Sequence, residues 1–236
     1  MFDRPHHQRI AKLLASLNAR FLAESGCYFG GGTAIVLSLN EYRESVDVDF
    51  LCSSINGYRA LRNTITNASL GDIVSQPVEL VRDVRADRYG IRTFVRIDGT
   101  PIKFEIVSEG RIGITGGMHP VFGVPTLSQE DMYAEKLLAN ADRCVDRSAA
   151  SRDAIDLAML IEHWGPVPNA AWDKARQAYG RSIDSYYGKA IDLVSDANYL
   201  QSCLHKMQMD PALIERIPEL LRSSLPTSGA ESSSIP

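Results

Sequence analysis

The chain has 236 residues, 44% of them hydrophobic and 23% charged, which excludes a disordered or fibrous protein and allows one large domain or two small ones. Lys and Arg number 25 against 29 Asp and Glu; the formal charge of -4 excludes a generic DNA-coating protein, but not an enzyme that meets nucleotides through one local patch. Cys27, Cys52, Cys144 and Cys203 form no CxxC or Cys/His cluster, no run approaches the ~18 apolar residues that span a bilayer, and the N-terminus has no apolar signal region, so a reducing, cytoplasmic setting without a membrane partner is expected.

Ile10, Leu13, Leu14, Leu17 and Phe21 recur at helical spacing and predict a helix over 6–24. Gly26 ends it, and 27–29 reads as a short buried strand running into Gly30, Gly31 and Gly32, with a helix over 33–39. Residues 46–51 alternate as a strand, with Asp47 and Asp49 on one face and Val46, Val48 and Phe50 on the core face. Further strands are expected at 78–84, 91–97 and 102–107. The last two form an antiparallel pair across the turn of Asp98, Gly99, Thr100 and Pro101. Residues 120–125 read as a loop or short strand. After Leu127 the pattern is helical, opened by Ser128 as an N-cap, with helices at 129–142, 149–163, 169–179, 182–206 and 211–223. The expectation is an α+β protein: a mixed sheet with flanking helices over 1–127, a helical bundle over 128–224, and a disordered, Ser-rich tail over 225–236.

The stretch from Phe29 to Phe50 carries the chemistry. Asp47 and Asp49 side by side repel each other unless a cation neutralises them, and Mg²⁺ favours one or two protein carboxylates completed by phosphate oxygens and water. The glycine turn upstream lets the backbone approach a phosphate, the following helix N-terminus offers free N–H groups, and Thr33 adds a hydroxyl. A phosphate cradle feeding a two-carboxylate site is the logic of phosphoryl or nucleotidyl transfer. Glu105, mid-strand among apolar neighbours, is a candidate third metal ligand; alternation equally permits it to face solvent.

These residues resemble a known family. Gly-Gly-Thr, a short apolar helix, then Arg-x-Ser-x-Asp-x-Asp-Phe is similar to the AbiEii/AbiGii-type nucleotidyltransferase toxins of the DNA polymerase beta-like superfamily. The resemblance continues through Glu130 to Ala139, which carries Lys136, and through Arg-Asp-x-x-Asp-Leu at 152–157, which carries Asp153 and Asp156. It implies a nucleotidyltransferase-like fold, with Gly31, Gly32, Thr33, Arg43 and Ser45 on the nucleotide, Asp47 and Asp49 on Mg²⁺ or Mn²⁺, and Lys136 on the phosphates. It also implies a catalytic acid from the second helix, an NTP co-substrate, an RNA acceptor such as a tRNA 3′ end, and a cognate antitoxin. The interval between Thr33 and Asp47 is slightly longer than the resemblance implies, and the extra length falls in residues 40–43.

Single members keep plainer readings. Arg152, Asp153 and Asp156 could pair on a solvated helix face, Lys136 could pair with Asp131 or Glu135, Arg43 with Glu41 or Glu44, and Ser45 could cap a strand. His6 and His7 read as surface residues. Arg82, Arg85, Arg88, Arg92, Arg96 and Lys103, interleaved with Tyr89 and Phe94, suggest an RNA-contact surface or an ordinary charged sheet edge. The leading function is a toxin nucleotidyltransferase; the alternatives are a small-molecule, antibiotic-type nucleotidyltransferase and a non-catalytic NTP-binding module.

Overall fold

The computed structural model describes residues 2–226; most of the expected disordered tail, from residue 227 on, lies outside the described residues. Pro5, whose fixed φ suits a first helical turn, opens α1 (Pro5–Ala15), which buries His7, Ile10, Leu13 and Leu14. The one helix expected over 6–24 is two. Leu17 leaves the helix to bridge Val74, and the Asn18 side chain accepts from the Phe21 amide to start α2 (Ala19–Glu24) afresh.

Next come β1 (Cys27–Gly30), α3 (Gly31–Ser38) and β2 (Val48–Cys52). The third begins two residues later than its alternation suggests. Asp47 therefore lies on the approach to the strand and Asp49 within it. Val48 and Phe50 are core, but Val46 is 49% exposed, because the chain has not yet entered the sheet at that point. A helix capped by Ser54, α4 (Ile55–Asn63), occupies a stretch to which the apolar pattern assigned no element.

The strand expected at 78–84 contracts to β3 (Glu79–Leu80), and a second edge piece, β4 (Arg85–Ala86), follows. Residues 81–83 are exposed and carry charge at positions a buried strand would make apolar. Both pieces pair with β5 (Gly90–Ile97), which forms the predicted hairpin with β6 (Thr100–Ser108). Ile97 pairs with Thr100, so the turn has two central residues, Asp98 (φ 47°) and Gly99 (φ 78°), both left-handed as a tight hairpin matching strand twist requires. Two short strands, β7 (Gly116–Met118) and β8 (Pro125–Leu127), complete a sheet of order β3-β5-β6-β2-β1-β8-β7 with β4 on β5. It is mixed: β2 runs parallel to β6 and β1 parallel to β8, and the other pairs are antiparallel.

The helical part comprises α5 (Gln129–Arg143), α6 (Arg152–Trp164), α7 (Asn169–Tyr179), α8 (Ser182–Val194), α9 (Ala197–Lys206) and α10 (Leu213–Ser223). Ser128 caps α5 as expected, through the Asp131 amide. The helix expected over 182–206 divides at Asp196, whose carboxylate accepts from the Asn198 and Tyr199 amides and starts a new helix. One continuous apolar core joins the sheet to these helices, from Phe29, Phe50 and Phe104 to Tyr133, Leu157 and Trp172. All four cysteines are free and buried within it. Among the described residues no helix is long and apolar enough to cross a membrane.

Candidate active site

Two glycines let the β1–α3 turn lie directly against acidic side chains. Gly31 has φ 67°, a left-handed conformation, and a Cβ there would sit 3.0 Å from Asp49 Oδ2. A Cβ on Gly32 would collide with the Arg43 guanidinium and lie 3.3 Å from Asp156 Oδ2. No side chain caps α3, so its first amides remain available to an anion in the cleft that Gly31, Gly32 and Thr33 line. The Thr33 hydroxyl is turned inward. It donates to the Asp47 carbonyl and meets Ser45 Oγ at 2.7 Å, bracing the approach to β2.

The same cleft, about 570 Å³, takes in Asp47, Asp49 and Glu105. Asp49 and Glu105 are register partners on parallel strands and therefore share a face. Burial pushes the Asp49 carboxyl up to about 6, with the charges of Asp47 and Glu105 adding to it and those of Lys103 and Lys136 opposing it. Glu105 accepts from Arg92 Nε and Lys103 Nζ, each at 2.6 Å, and these contacts outweigh its burial and hold its carboxyl below the ordinary range. Among the described residues no three acids, histidines or cysteines gather into a ready-made metal cluster. The donor set fits a cation shared with phosphate oxygens rather than an all-protein cage, because two carboxylates at the cleft, one of them destabilised by desolvation, lack an adjacent positive partner of their own. Asp47 and Asp49 meet that description; Glu105 joins them only by giving up Lys103 or Arg92.

Across the cleft stands a buried ionic network. Lys136 Nζ lies 2.9 Å from Asp153 and 2.6 Å from Asp156. Arg43 forks onto both oxygens of Asp156 at 2.7 and 2.8 Å, and the Tyr42 hydroxyl donates to the same carboxylate at 2.6 Å. Arg143 forks onto Asp153. Although Asp156 is wholly buried, the cations keep its carboxyl below its ordinary value, and Asp153 is held lower in the same way. Three cations face two carboxylates, so the network carries a surplus positive charge beside the glycine turn. The plainer readings of these residues are thereby replaced. Lys136 does not pair with Asp131, which is bound by Lys174 and Thr115, and Asp153 and Asp156 are buried rather than on a solvated face. Arg43 reaches Asp156 and the carbonyl of Glu44 rather than a neighbouring carboxylate.

Other residues take positions the sequence did not suggest. His7 is fully buried. Its Nε2 accepts from the Ser45 amide at 3.1 Å, which leaves Nδ1 to donate to Glu41 at 2.7 Å. The loop it holds contains two left-handed residues, Asn40 (φ 57°) and Glu41 (φ 55°), where the extra length was expected. His7 does fall on the buried stripe of α1 with Ile10 and Leu14, a signal present in the sequence. Arg143 lies seven residues from Lys136, two helical turns along one face, which is the pattern that could have announced it. The arginine-rich stretch is largely committed elsewhere: Arg92 and Lys103 to Glu105, Arg96 to Glu79, while Arg82 and Arg88 cover the rings of Phe94 and Tyr89.

A mixed sheet carrying a glycine turn and an Asp-x-Asp pair, closed by helices that bring basic side chains across a cleft, has the α+β nucleotidyltransferase architecture. The chain belongs to the family of the AbiEii toxin nucleotidyl transferase of type IV toxin–antitoxin systems, whose pattern it matches over residues 12–227. It is thus a nucleotidyltransferase toxin; the family implies an NTP substrate and an antitoxin partner. Its fold is similar to that of JHP933 from Helicobacter pylori, with 18% identity and a TM-score of 0.52 over 94% of this chain and 93% of that one. A candidate nucleotidyltransferase from H. pylori is similar at 16% identity and a TM-score of 0.51, over 92% and 94%. No curated protein matches the sequence.

Proposed function

We propose that the cleft transfers a nucleoside monophosphate from an NTP to the hydroxyl of an RNA acceptor, such as a tRNA 3′ end, with release of pyrophosphate. The observation that carries this is the meeting, in one cleft, of the Gly31–Thr33 amides, the Asp47 and Asp49 carboxylates and the surplus-positive network of Lys136, Arg43 and Arg143. The amides and the adjoining network together attract the triphosphate. Asp47 and Asp49 would hold a Mg²⁺ or Mn²⁺ ion, which when bound offsets their charge and that developing on the phosphates. Glu105 stands beside Asp49, held by Arg92, and on releasing Lys103 from its other oxygen it can accept a proton from the attacking hydroxyl. Asp153 and Asp156 orient Lys136, Arg143 and Arg43 and so act through them, while Thr33 and Ser45 fix the turn.

The acceptor enters from the side of the cleft where Arg152 and Lys206 lie exposed. Phosphate-rich RNA suits such a mouth better than the β5–β6 arginines, most of which are already paired or stacked. The test is incubation with each labelled NTP, Mg²⁺ and total tRNA. Label should pass to RNA with wild type and fall at least about a hundredfold in Asp49→Asn, as expected when a transition-state charge contact is lost; undiminished transfer by Asp49→Asn defeats the mechanism.

A further inference from the structure

Beyond the acids the cleft changes character in a regular way. Asp49 pairs with Glu105, and two residues further along the same parallel strands Leu51 pairs with Val107. Alternation puts both pairs on the same face, so the floor passes from acidic to apolar within about 7 Å. Met132 and Ala139 of α5 and Ile35 of α3 complete this part of the lining. Beyond it stand Arg111 and Glu135.

The polar groups there are unbalanced. Arg111 alone serves three carboxylates: Glu109 at 2.6 Å, Glu135 at 3.1 Å and Asp142 at 3.0 Å. Glu135 is 8% exposed, and its Oε1 is buried with no hydrogen-bond partner. A buried carboxylate oxygen without a donor is a cost a folded protein rarely carries unless a ligand or a proton relieves it. The two arms of the cleft are thus opposite in kind. The Lys136 network has cations in excess and suits phosphates, whereas the Arg111–Glu135 end has acceptors in excess behind an apolar slot and would repel them.

We propose that Leu51, Val107, Met132 and Glu135 form a nucleobase subsite, in which the base of the NTP lies on the apolar floor and its N–H edge is read by the Glu135 carboxyl. This rests on the reading of the cleft as an NTP site and adds to it the group that selects the base. Flat apolar contact supplies affinity without choice among bases, and a single hydrogen-bonding side chain supplies the choice. Arg111 is a positioning residue that holds Glu135 against the repulsion of Glu109. Burial, with the charge and close contact of Glu109 added, raises the Glu135 carboxyl above its ordinary range against the opposing pull of Arg111.

The experiment is calorimetric titration of the full chain with the four NTPs and with inorganic tripolyphosphate, all with Mg²⁺, in wild type, Glu135→Gln and Val107→Tyr. Wild type should rank the NTPs over at least about tenfold in Kd, the worth of one hydrogen bond. Glu135→Gln, nearly isosteric, should flatten or reorder that ranking and leave tripolyphosphate affinity unchanged. Val107→Tyr, filling the slot, should weaken every NTP but not tripolyphosphate. If tripolyphosphate binds and both variants keep the wild-type ranking and affinities, the subsite is wrong while the phosphate site stands. If neither the NTPs nor tripolyphosphate binds wild type, the NTP reading fails and the subsite is overturned with it.

Discussion

Asp156 illustrates how much of the site hangs on individual side chains. Its two oxygens receive Arg43, Lys136 and Tyr42 in a fully buried setting. Breaking a buried ion pair from one side leaves uncompensated charge, which costs about 3–5 kcal/mol. Asp156→Asn should therefore lower the unfolding free energy by that order in urea denaturation, and with it detach Arg43 from Gly32, where the space for a guanidinium exists only because the residue is glycine. A loss below about 0.5 kcal/mol, the range of an exposed pair, would mean the network is not closed in solution. The Asp153 and Asp156 motif was legible through its resemblance to the family's signature, but its partners were not. Arg-Asp-x-x-Asp reads equally well as a solvated ion-pair set, and only burial distinguishes the two.

Among the elements, the loop between α3 and β2 is the most dependent on distant support. It has two non-glycine left-handed residues, a conformation that costs energy and persists when surroundings impose it. The support comes from the N-terminal segment: the Asp3 and Arg4 amides and the His7 ring all bind Glu41, and His7 also takes the Ser45 amide. Burial lowers the His7 pKa against the opposing pull of Glu41, so the neutral ring belongs to the folded state. The sign follows: stability from this group is complete above the ordinary value of 6.5, and is lost as pH falls below it and the unfolded chain takes up a proton that the folded ring resists. Wild type should therefore lose stability relative to His7→Gln between pH 7.5 and pH 5.5 in parallel urea titrations; a pH-independent difference would dismiss the role assigned to the ring. Strands of the central sheet were readable because period-two alternation in 91–97 and 102–107 matches one buried face. α4 and the breaks at Asn18 and Asp196 were not, because a cap is one residue and leaves the apolar periodicity on both sides intact.

For the molecule as a whole, charge is divided between surfaces that the net figure averages away. The acids of the cleft face a positive network, while Arg152 and Lys206 stand at its mouth without ion pairs among the described residues. Arg152→Glu together with Lys206→Glu should leave NTP affinity within about twofold, weaken labelling of RNA most at low salt and flatten its salt dependence, since each lost phosphate contact removes roughly one released counterion. Equal labelling by wild type and variant across 50–200 mM salt, a range over which two such contacts change affinity by about tenfold, would move the acceptor path elsewhere.

Lys136 was marked by resemblance to the family; the glycine turn, the Asp-x-Asp pair, Glu105 and the α+β plan were available from residue order alone, because backbone permissiveness, strand alternation and helical spacing are local properties of a chain. The partners of these residues were not. Lys136 beside Asp156, Arg92 across from Glu105, His7 beneath Ser45 and Glu135 beyond Leu51 and Val107 depend on strand register and on how α5 and α6 pack over the sheet. Those arrangements arise from burying one shared core, in which residues more than a hundred positions apart become neighbours, and no short-range pattern records them. The opening charge of -4 therefore keeps its first meaning, the exclusion of a DNA coat, and acquires a second: acids and bases in near balance, gathered by the fold into local groups of unequal charge around one cleft.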